Sequence, residues 1–260
     1  MIYAVVCLVS FVASGLAFFS GFGLGTVLTP VMAVFFPVQV AVAAAALVHL
    51  ANNLFKLLLV GRSADKKIVL RFGLPAVVCA LLGAWLLTLV SSVPPVASYQ
   101  FLGHARQITP VKLVIGILIV AFSCLELFPK FQKASVDRKY MALGGALSGF
   151  FGGLSGNQGA LRTLFLIKAG LGKEAFIGTG VAVAVMVDCG RLIVYGIGFY
   201  SAHSAALAGH GGLVASATIS AFAGAFLGRQ ALKKVTLGAV QWTVGILLLF
   251  LGAALSAGLL

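Results

Sequence analysis

Residues 152–163 read GGLSGNQGALRT. Gly, Ser, Asn, Gln and Arg crowd together here, with strongly apolar sequence on both sides. In a soluble chain this stretch would be a loop, and a phosphate cradle would be one use for it. The surrounding chain is not of that kind. It is 61% hydrophobic and 9% charged, with a mean hydropathy of +1.14, whereas soluble domains run near half apolar and a quarter charged. Apolar stretches longer than about 18 residues recur along it, the length a bilayer demands. The polar run therefore sits inside a membrane protein.

The formal charge of +13 would suggest nucleic acid in a soluble chain. Here the Lys and Arg residues lie mostly in short loops and read as topology signals. No basic cluster is interleaved with aromatics, so no nucleic-acid partner is expected. Cys7, Cys79, Cys124 and Cys189 lie in apolar segments without CxxC spacing and read as small buried hydrophobes. His203 and His210 read as solvated loop residues rather than a metal pair. Nothing resembles a catalytic triad, a P-loop or a paired-carboxylate site, so neither an enzyme activity nor a cofactor nor a metal is expected. The opening MIYAVVCLVSFVASGLAFF lacks a basic n-region and reads as a membrane segment, not a cleaved signal.

Apolar segments fall at 2–19, 24–36, 38–60, 68–91, 109–128, 140–151, 160–171, 173–199, 207–228 and 236–259. Six of them span a bilayer comfortably: 38–60, 68–91, 109–128, 173–199, 207–228 and 236–259. The segments at 140–151 and 160–171 reach only about 18 Å each at 1.5 Å per residue, short of a hydrocarbon core of about 30 Å. The polar run joins these two.

The halves of the chain match at an offset of 135 residues. SGFGLG from Ser20 aligns with SGNQGA from Ser155, and SGLAFF from Ser14 aligns with SGFFGG from Ser148 after one gap. Gln39 falls on Glu174, Asn53 on Asp188, Lys56 on Arg191 and Gly61 on Gly196. If 2–36 and 140–171 are hairpins that return to their starting side, each half has three true spans and the halves are inverted. Thirteen of the eighteen basic residues then share one side, which the positive-inside rule makes the cytoplasm, with both termini outside. Full spans in place of hairpins would keep the parity, so the count stands between six spans plus two hairpins and ten spans. The expected fold is an all-α polytopic membrane protein of two inverted-topology repeats. Each repeat is a broken helical hairpin followed by three transmembrane helices. The first covers 1–128, a cytoplasmic linker covers 129–139 and the second repeat covers 140–260, all one integral domain in the cell (inner) membrane. A homodimer is also entertained.

Irregular backbone at membrane depth is tolerated only where protein covers it or it lines a cavity. Two broken hairpins at corresponding places therefore point to a substrate site. Each break is followed by a helix whose N-terminus offers free N–H groups and a positive dipole end, a setting for a small anion. The candidate binding residues are Ser20, Gly23, Gly25, Thr26 and Thr29 at the first break. At the second they are Ser155, Gly156, Asn157, Gln158, Gly159, Arg162 and Thr163. Close helix packing is the competing reading for the small residues. Arg162 resists it, because an arginine in an apolar hairpin is costly unless paired or hydrated.

A second set follows the hairpins. His49, Asn52, Asn53 and Lys56 share one face of 38–60, and Asp188, Arg191 and Tyr195 form the matching stripe in 173–199. Asn53 and Arg191 join the binding candidates. His49, Lys56, Asp188 and Tyr195 are candidates for coupling or gating: Asp188 and Arg191 as a gate, His49 as a second proton site. The competing readings are a structural Asp188–Arg191 ion pair and a snorkelling Lys56.

The stretches GFGLGTVLTPVMAVFFPVQVAVAAAALVHLANN, RFGLPAVVCALLGAWL and GALSGFFGGLSGNQGALRT resemble the TauE/SafE sulfite exporter family over nearly the whole chain. The matching motifs are the Gly-rich break followed by Pro30, Gly73 to Pro75, and Leu82 to Ala84. The resemblance implies two related membrane halves and export of sulfite, a sulfonate or another small sulfur-containing anion. The second break departs from the family's frequent Gly-rich run by carrying Asn157, Gln158 and Arg162. The leading reading is a secondary transporter for such an anion, embedded in a lipid bilayer; the other is an anion channel with the breaks as its filter.

The charge asymmetry places the loops at 61–71, 129–139 and 229–235 in the cytoplasm. Single cysteines at Ser63 and Ser135, on a Cys-free background, are expected to resist a membrane-impermeant reagent in intact cells. Strong labelling at either would reverse the orientation.

Overall fold

The computed structural model describes residues 1–17, 23–128, 135–231 and 237–260, with side chains described for these except 199–209, 231 and 237–241. Among the described residues the helices are α1 (Ile2–Leu16), α2 (Leu24–Ala33), α3 (Val38–Val60), α4 (Lys66–Ser91), α5 (Pro110–Leu127), α6 (Met141–Ser155), α7 (Gly159–Leu166), α8 (Lys173–Gly209), α9 (Gly211–Ala231) and α10 (Leu237–Ser256). Five of them are long and apolar enough to cross a membrane: α3, α4, α5, α8 and α9. α10 answers to the sixth expected span, though its first residues lie outside the described side chains. The chain is a multi-pass, mainly helical membrane protein.

Local chemistry explains several boundaries. Asp65 caps α4, its carboxylate accepting from the Ile68 N–H at 3.0 Å, as a short acceptor does at an N-cap. The Asp65 N–H in turn donates to Thr179 Oγ1 at 2.9 Å, tying the α3–α4 turn to α8. Thr109 caps α5, and Pro110 takes the first helical position, where a missing N–H costs nothing.

Apolarity does not tell the inside of this protein from its outside, but size does. Along α4, Phe72, Ala76, Ala80 and Ala84 recur every fourth residue and are fully buried, while Leu70, Leu74, Val78 and Trp85 are exposed. Small residues let backbones approach where lipid gives apolar helices no hydrophobic reason to associate. The closest approach is α4 on α6. A Cβ on Gly149 would stand 1.9 Å from the Ala76 carbonyl oxygen, and one on Gly145 or Gly153 would stand 2.1 Å from that of Phe72 or Ala80. α1 meets α9 in the same way: a Cβ on Gly224 would be 2.0 Å from the Phe11 oxygen. α5 meets α10, where a Cβ on Gly116 would stand 2.6 Å from the Gly252 oxygen. α3 packs on α8 between these pairs.

Three features differ from the sequence reading. First, the segment at 92–108, between two apolar segments, carries an antiparallel hairpin, β1 (Ala97–Phe101) and β2 (His104–Ile108). Leu102 and Gly103 turn it with φ of 51° and 77°, the left-handed pair that suits a two-residue hairpin. It docks on the far end of the chain: Tyr99 donates to the Ala257 carbonyl at 2.6 Å and Arg106 to that of Leu259 at 2.8 Å. Second, α8 runs through 199–207 without a break, so His203 is in a helix rather than a loop. His210 stands at the turn after it, its ring 4.6 Å from that of Phe36. Third, the cysteines are free but not fully buried; three are half-buried and Cys189 is exposed.

The glycine contacts give a stability test. Gly149→Ala pushes a methyl into backbone that cannot rotate away, and is expected to cost about 1–3 kcal/mol or more, read as a lower melting temperature in detergent. Gly196→Ala, where nothing lies within 4 Å, is expected to leave it unchanged.

Candidate functional site

The second break is built by one residue. Gly156 adopts φ +82°, which ends α6 in a conformation that costs a side chain dearly. Its N–H still closes on the Gly152 oxygen at 2.9 Å, and the Gln158 N–H on the Gly156 oxygen at 3.2 Å. α7 then begins at Gly159 without a side-chain cap, leaving its leading N–H groups without intrahelical partners. Residues 18–22 of the first break lie outside the described residues. Gly23 is extended (φ −79°, ψ 151°) and precedes α2, which also lacks a side-chain cap. All ten residues of α2 are buried, Thr26 and Thr29 among them, so protein covers the half-helix as its depth requires. The two breaks face each other: a Cβ on Gly25 would lie 3.4 Å from the Gly156 oxygen, and one on Gly156 would lie 3.8 Å from Thr29 Oγ1.

Between them lies Asp188 of α8, fully buried. Its Oδ2 accepts from His49 Nδ1 at 2.7 Å and Asn53 Nδ2 at 3.0 Å, both on α3. Its Oδ1 accepts from Arg191 Nε at 3.0 Å and Gln158 Nε2 at 3.4 Å, and Arg191 Nη2 lies 2.8 Å from the same oxygen. Arg191 also reaches the Gly152 oxygen at 3.5 Å, and the Tyr195 hydroxyl donates to the Gly153 oxygen. Both carbonyls belong to the last turn of α6, the negative end of its dipole, where donors and cations are favoured.

Lys56 does the same for the first hairpin. Its Nζ donates to the Ser14 oxygen, in the last turn of α1, at 3.3 Å. Asn52, oriented so that both ends of its amide are satisfied, accepts from Lys56 Nζ and donates to the Ala221 carbonyl, each at 3.2 Å. Ser14 Oγ lies 2.9 Å from the same amide.

Other polar groups are sealed in without a partner. Among the described residues, neither end of the Asn157 amide makes a hydrogen bond, nor do Gln158 Oε1 and Arg162 Nη1. Arg162 lies against α8, where a Cβ on Gly180 would be 3.4 Å from its Nε.

The structure thus brings together Gly23, Gly25, Thr29, His49, Asn53, Gly156, Gln158, Asp188, Arg191 and Tyr195, with Lys56 in an adjoining cluster. Ser155 is turned away, its hydroxyl donating to the Phe151 oxygen of its own helix at 3.0 Å. Ser20 lies outside the described residues. Sequence reasoning missed Ser14 as a partner of Lys56, and Ser148, whose hydroxyl donates to the Gln158 carbonyl at 3.0 Å. The repeat alignment, which pairs these two serines, was the available signal.

The sequence matches the family model described as sulfite exporter TauE/SafE over residues 6–255. The chain belongs to this family. TauE/SafE proteins are membrane transporters of the sulfur-anion exporter type, not enzymes, and the match runs through both breaks and every helix named above. No curated protein and no solved structure matches the chain.

Removing one partner of a buried pair costs more than removing both. Asp188→Ala is expected to destabilise by about 3–5 kcal/mol, because it strands Arg191. Asp188→Ala/Arg191→Met is expected to recover part of that loss, read as melting temperature of the purified protein. A double variant no more stable than the single would mean that Asp188 acts mainly through its other partners.

Proposed function

We propose that this member of the TauE/SafE family is a secondary transporter that exports sulfite, a sulfonate or a similar small sulfur-containing anion, bound between the two breaks. The observation that carries the reading is the pair of sealed donors at the second break, Asn157 Nδ2 and Arg162 Nη1, that meet no partner among the described residues. Buried polar groups are ordinarily paired, and donors left open beside an uncapped helix N-terminus suit an oxyanion. Charge points the same way. Lys56, Arg162 and Arg191 stand against one carboxylate, Asp188, and Arg162 is near enough to interact electrostatically with both Asp188 and Lys56. An anion offsets that excess.

In this reading Asn157, Gln158, Gly159, Arg162 and Thr163 bind from one side, and Gly23, Gly25, Thr26 and Thr29 from the other. Asn53 and Arg191 lie behind them, and the Asp188–Arg191 pair acts as a gate that loosens when the anion draws on the arginine. The halves are inverted repeats, 1–128 and 140–260, with both termini outside. Two findings support a two-fold relation. Asn53 and Asp188, 135 residues apart, bond to each other, as corresponding residues do only on a shared axis. Lys56 and Arg191, likewise equivalent, each reach the end of the first hairpin helix in their own half.

Reconstituted in proteoliposomes, the protein is expected to show saturable counterflow of labelled sulfite; conductance without exchange would favour a channel. Arg162→Ala is expected to abolish counterflow in a folded protein. Arg162→Lys restores it only in part, because an ammonium lacks the planar fork that matches an oxyanion. Wild-type kinetics in Arg162→Ala would remove Arg162 from the site.

A further inference from the structure

The mechanism above gives the buried His49 no task. His49 is 4% exposed, and its ring is fixed from one side. Asp188 receives hydrogen bonds from Asn53, Gln158 and Arg191, so it is a carboxylate that can only accept, and His49 Nδ1, 2.7 Å away, must carry the hydrogen between them. Asn53 Nδ2 lies within 3.1 Å of Nδ1 and 3.4 Å of Nε2, but its hydrogen bond to Asp188 is shorter than either. The tautomer that results leaves Nε2 as a basic lone pair. That nitrogen faces the first break: a Cβ on Gly23 would lie 3.7 Å from Nε2, and one on Gly25 3.6 Å from the adjoining Cδ2.

A buried carboxylate on Nδ1 orients an imidazole and stabilises the imidazolium it becomes, while Nε2 exchanges a proton. The same arrangement stands here beside a break rather than a nucleophile. When Nε2 takes a proton from water, it becomes an N–H donor directed at the start of α2, whose leading N–H groups also open there. The charge it gains is held by Asp188 and answered by an anion in front of it.

We infer that His49 is a proton-binding site coupled to the anion, so that one proton and one anion occupy the protein together. The inference rests on the anion reading given above. The groups facing His49 are accounted for. α8 brings Asp188 and Arg191, and α7 brings Arg162, within electrostatic reach of the ring. α3 itself carries Lys56 two turns further on. α2 has no ionisable residue, and the one on α9, Arg229, is in its last turn. Arg162 and Arg191 repel a proton on the ring, and an anion that engages them lifts that repulsion. Proton and anion therefore strengthen each other's binding, and by linkage they do so equally.

The test is calorimetry on the purified full chain in buffers of different ionisation enthalpy, with sulfite, sulfate and methanesulfonate as titrants. Sulfate and methanesulfonate do not titrate between about pH 6 and 8, the range around an ordinary histidine, so a proton taken up with them goes to the protein. The expected result is uptake of about one proton per anion bound, with affinity falling by up to about tenfold per pH unit. His49→Gln is expected to bind with a flat pH profile and no uptake. His49→Asn serves the same purpose if the glutamine variant does not fold. Binding without proton uptake overturns the inference and leaves the anion site standing. Uptake that survives in the His49 variants assigns the proton elsewhere, Lys56 first, and overturns it too. Failure of all three anions to bind overturns the anion reading itself, and this inference with it.

Discussion

A carboxylate sealed between apolar helices costs several kcal/mol unless its lone pairs are met and its charge is offset. Asp188 meets that demand with four side chains drawn from separate segments: His49 and Asn53 from α3, Gln158 from the second break, and Arg191 from its own helix. The consequences spread from there. Gln158 can reach Asp188 only because Gly156 turns the chain at a left-handed φ. α3 and α8 must pack face to face for Asn53 to reach across. The first break must lie beside His49, because α2 packs on α3. Losing the carboxylate would strand a cation and remove what holds three segments in register.

The cations obey a second constraint. Interrupting a helix at membrane depth exposes a negative dipole end and a positive one. Lys56 and Arg191 go to the negative ends, at the Ser14 and Gly152 oxygens. The positive ends, at the starts of α2 and α7, receive no side-chain cap. In the proposed reading, those two uncapped ends are where the anion's charge is met.

Much of this was legible in the sequence because membrane sequence is restrictive. A polar run cannot hide in lipid, so GGLSGNQGALRT marked the break, and the helical spacing of His49, Asn52, Asn53 and Lys56 marked the polar face of α3. The offset of 135 residues set Asn53 against Asp188, but did not show that they touch. Contact depends on how two helices cross, and no single segment encodes that. The hairpin at 97–108 was missed because its strands are short, and its anchors, the carbonyls of Ala257 and Leu259, lie some 150 residues further along the chain. The Lys56 cluster was half legible: the lysine stood out, but its partner is the backbone of Ser14, which any residue could have supplied. The continuous α8 was divided too early because small and polar residues near 199–207 suggested a turn where the helix runs on.

The glycine contacts also decide which parts can travel together. α4 is locked to α6 through carbonyls that a single methyl would strike, and α1 to α9 in the same manner. Each lock joins a helix from the first half of the chain to one from the second, and the β1–β2 hairpin joins the α4–α5 connection to the end of α10. The chain therefore cannot flex as two lobes divided at its midpoint, with 1–128 rocking against 140–260. A block held by these contacts draws helices from both ends of the sequence, interleaved like the fingers of clasped hands. The parts that move as one are cut along a seam other than the midpoint of the chain.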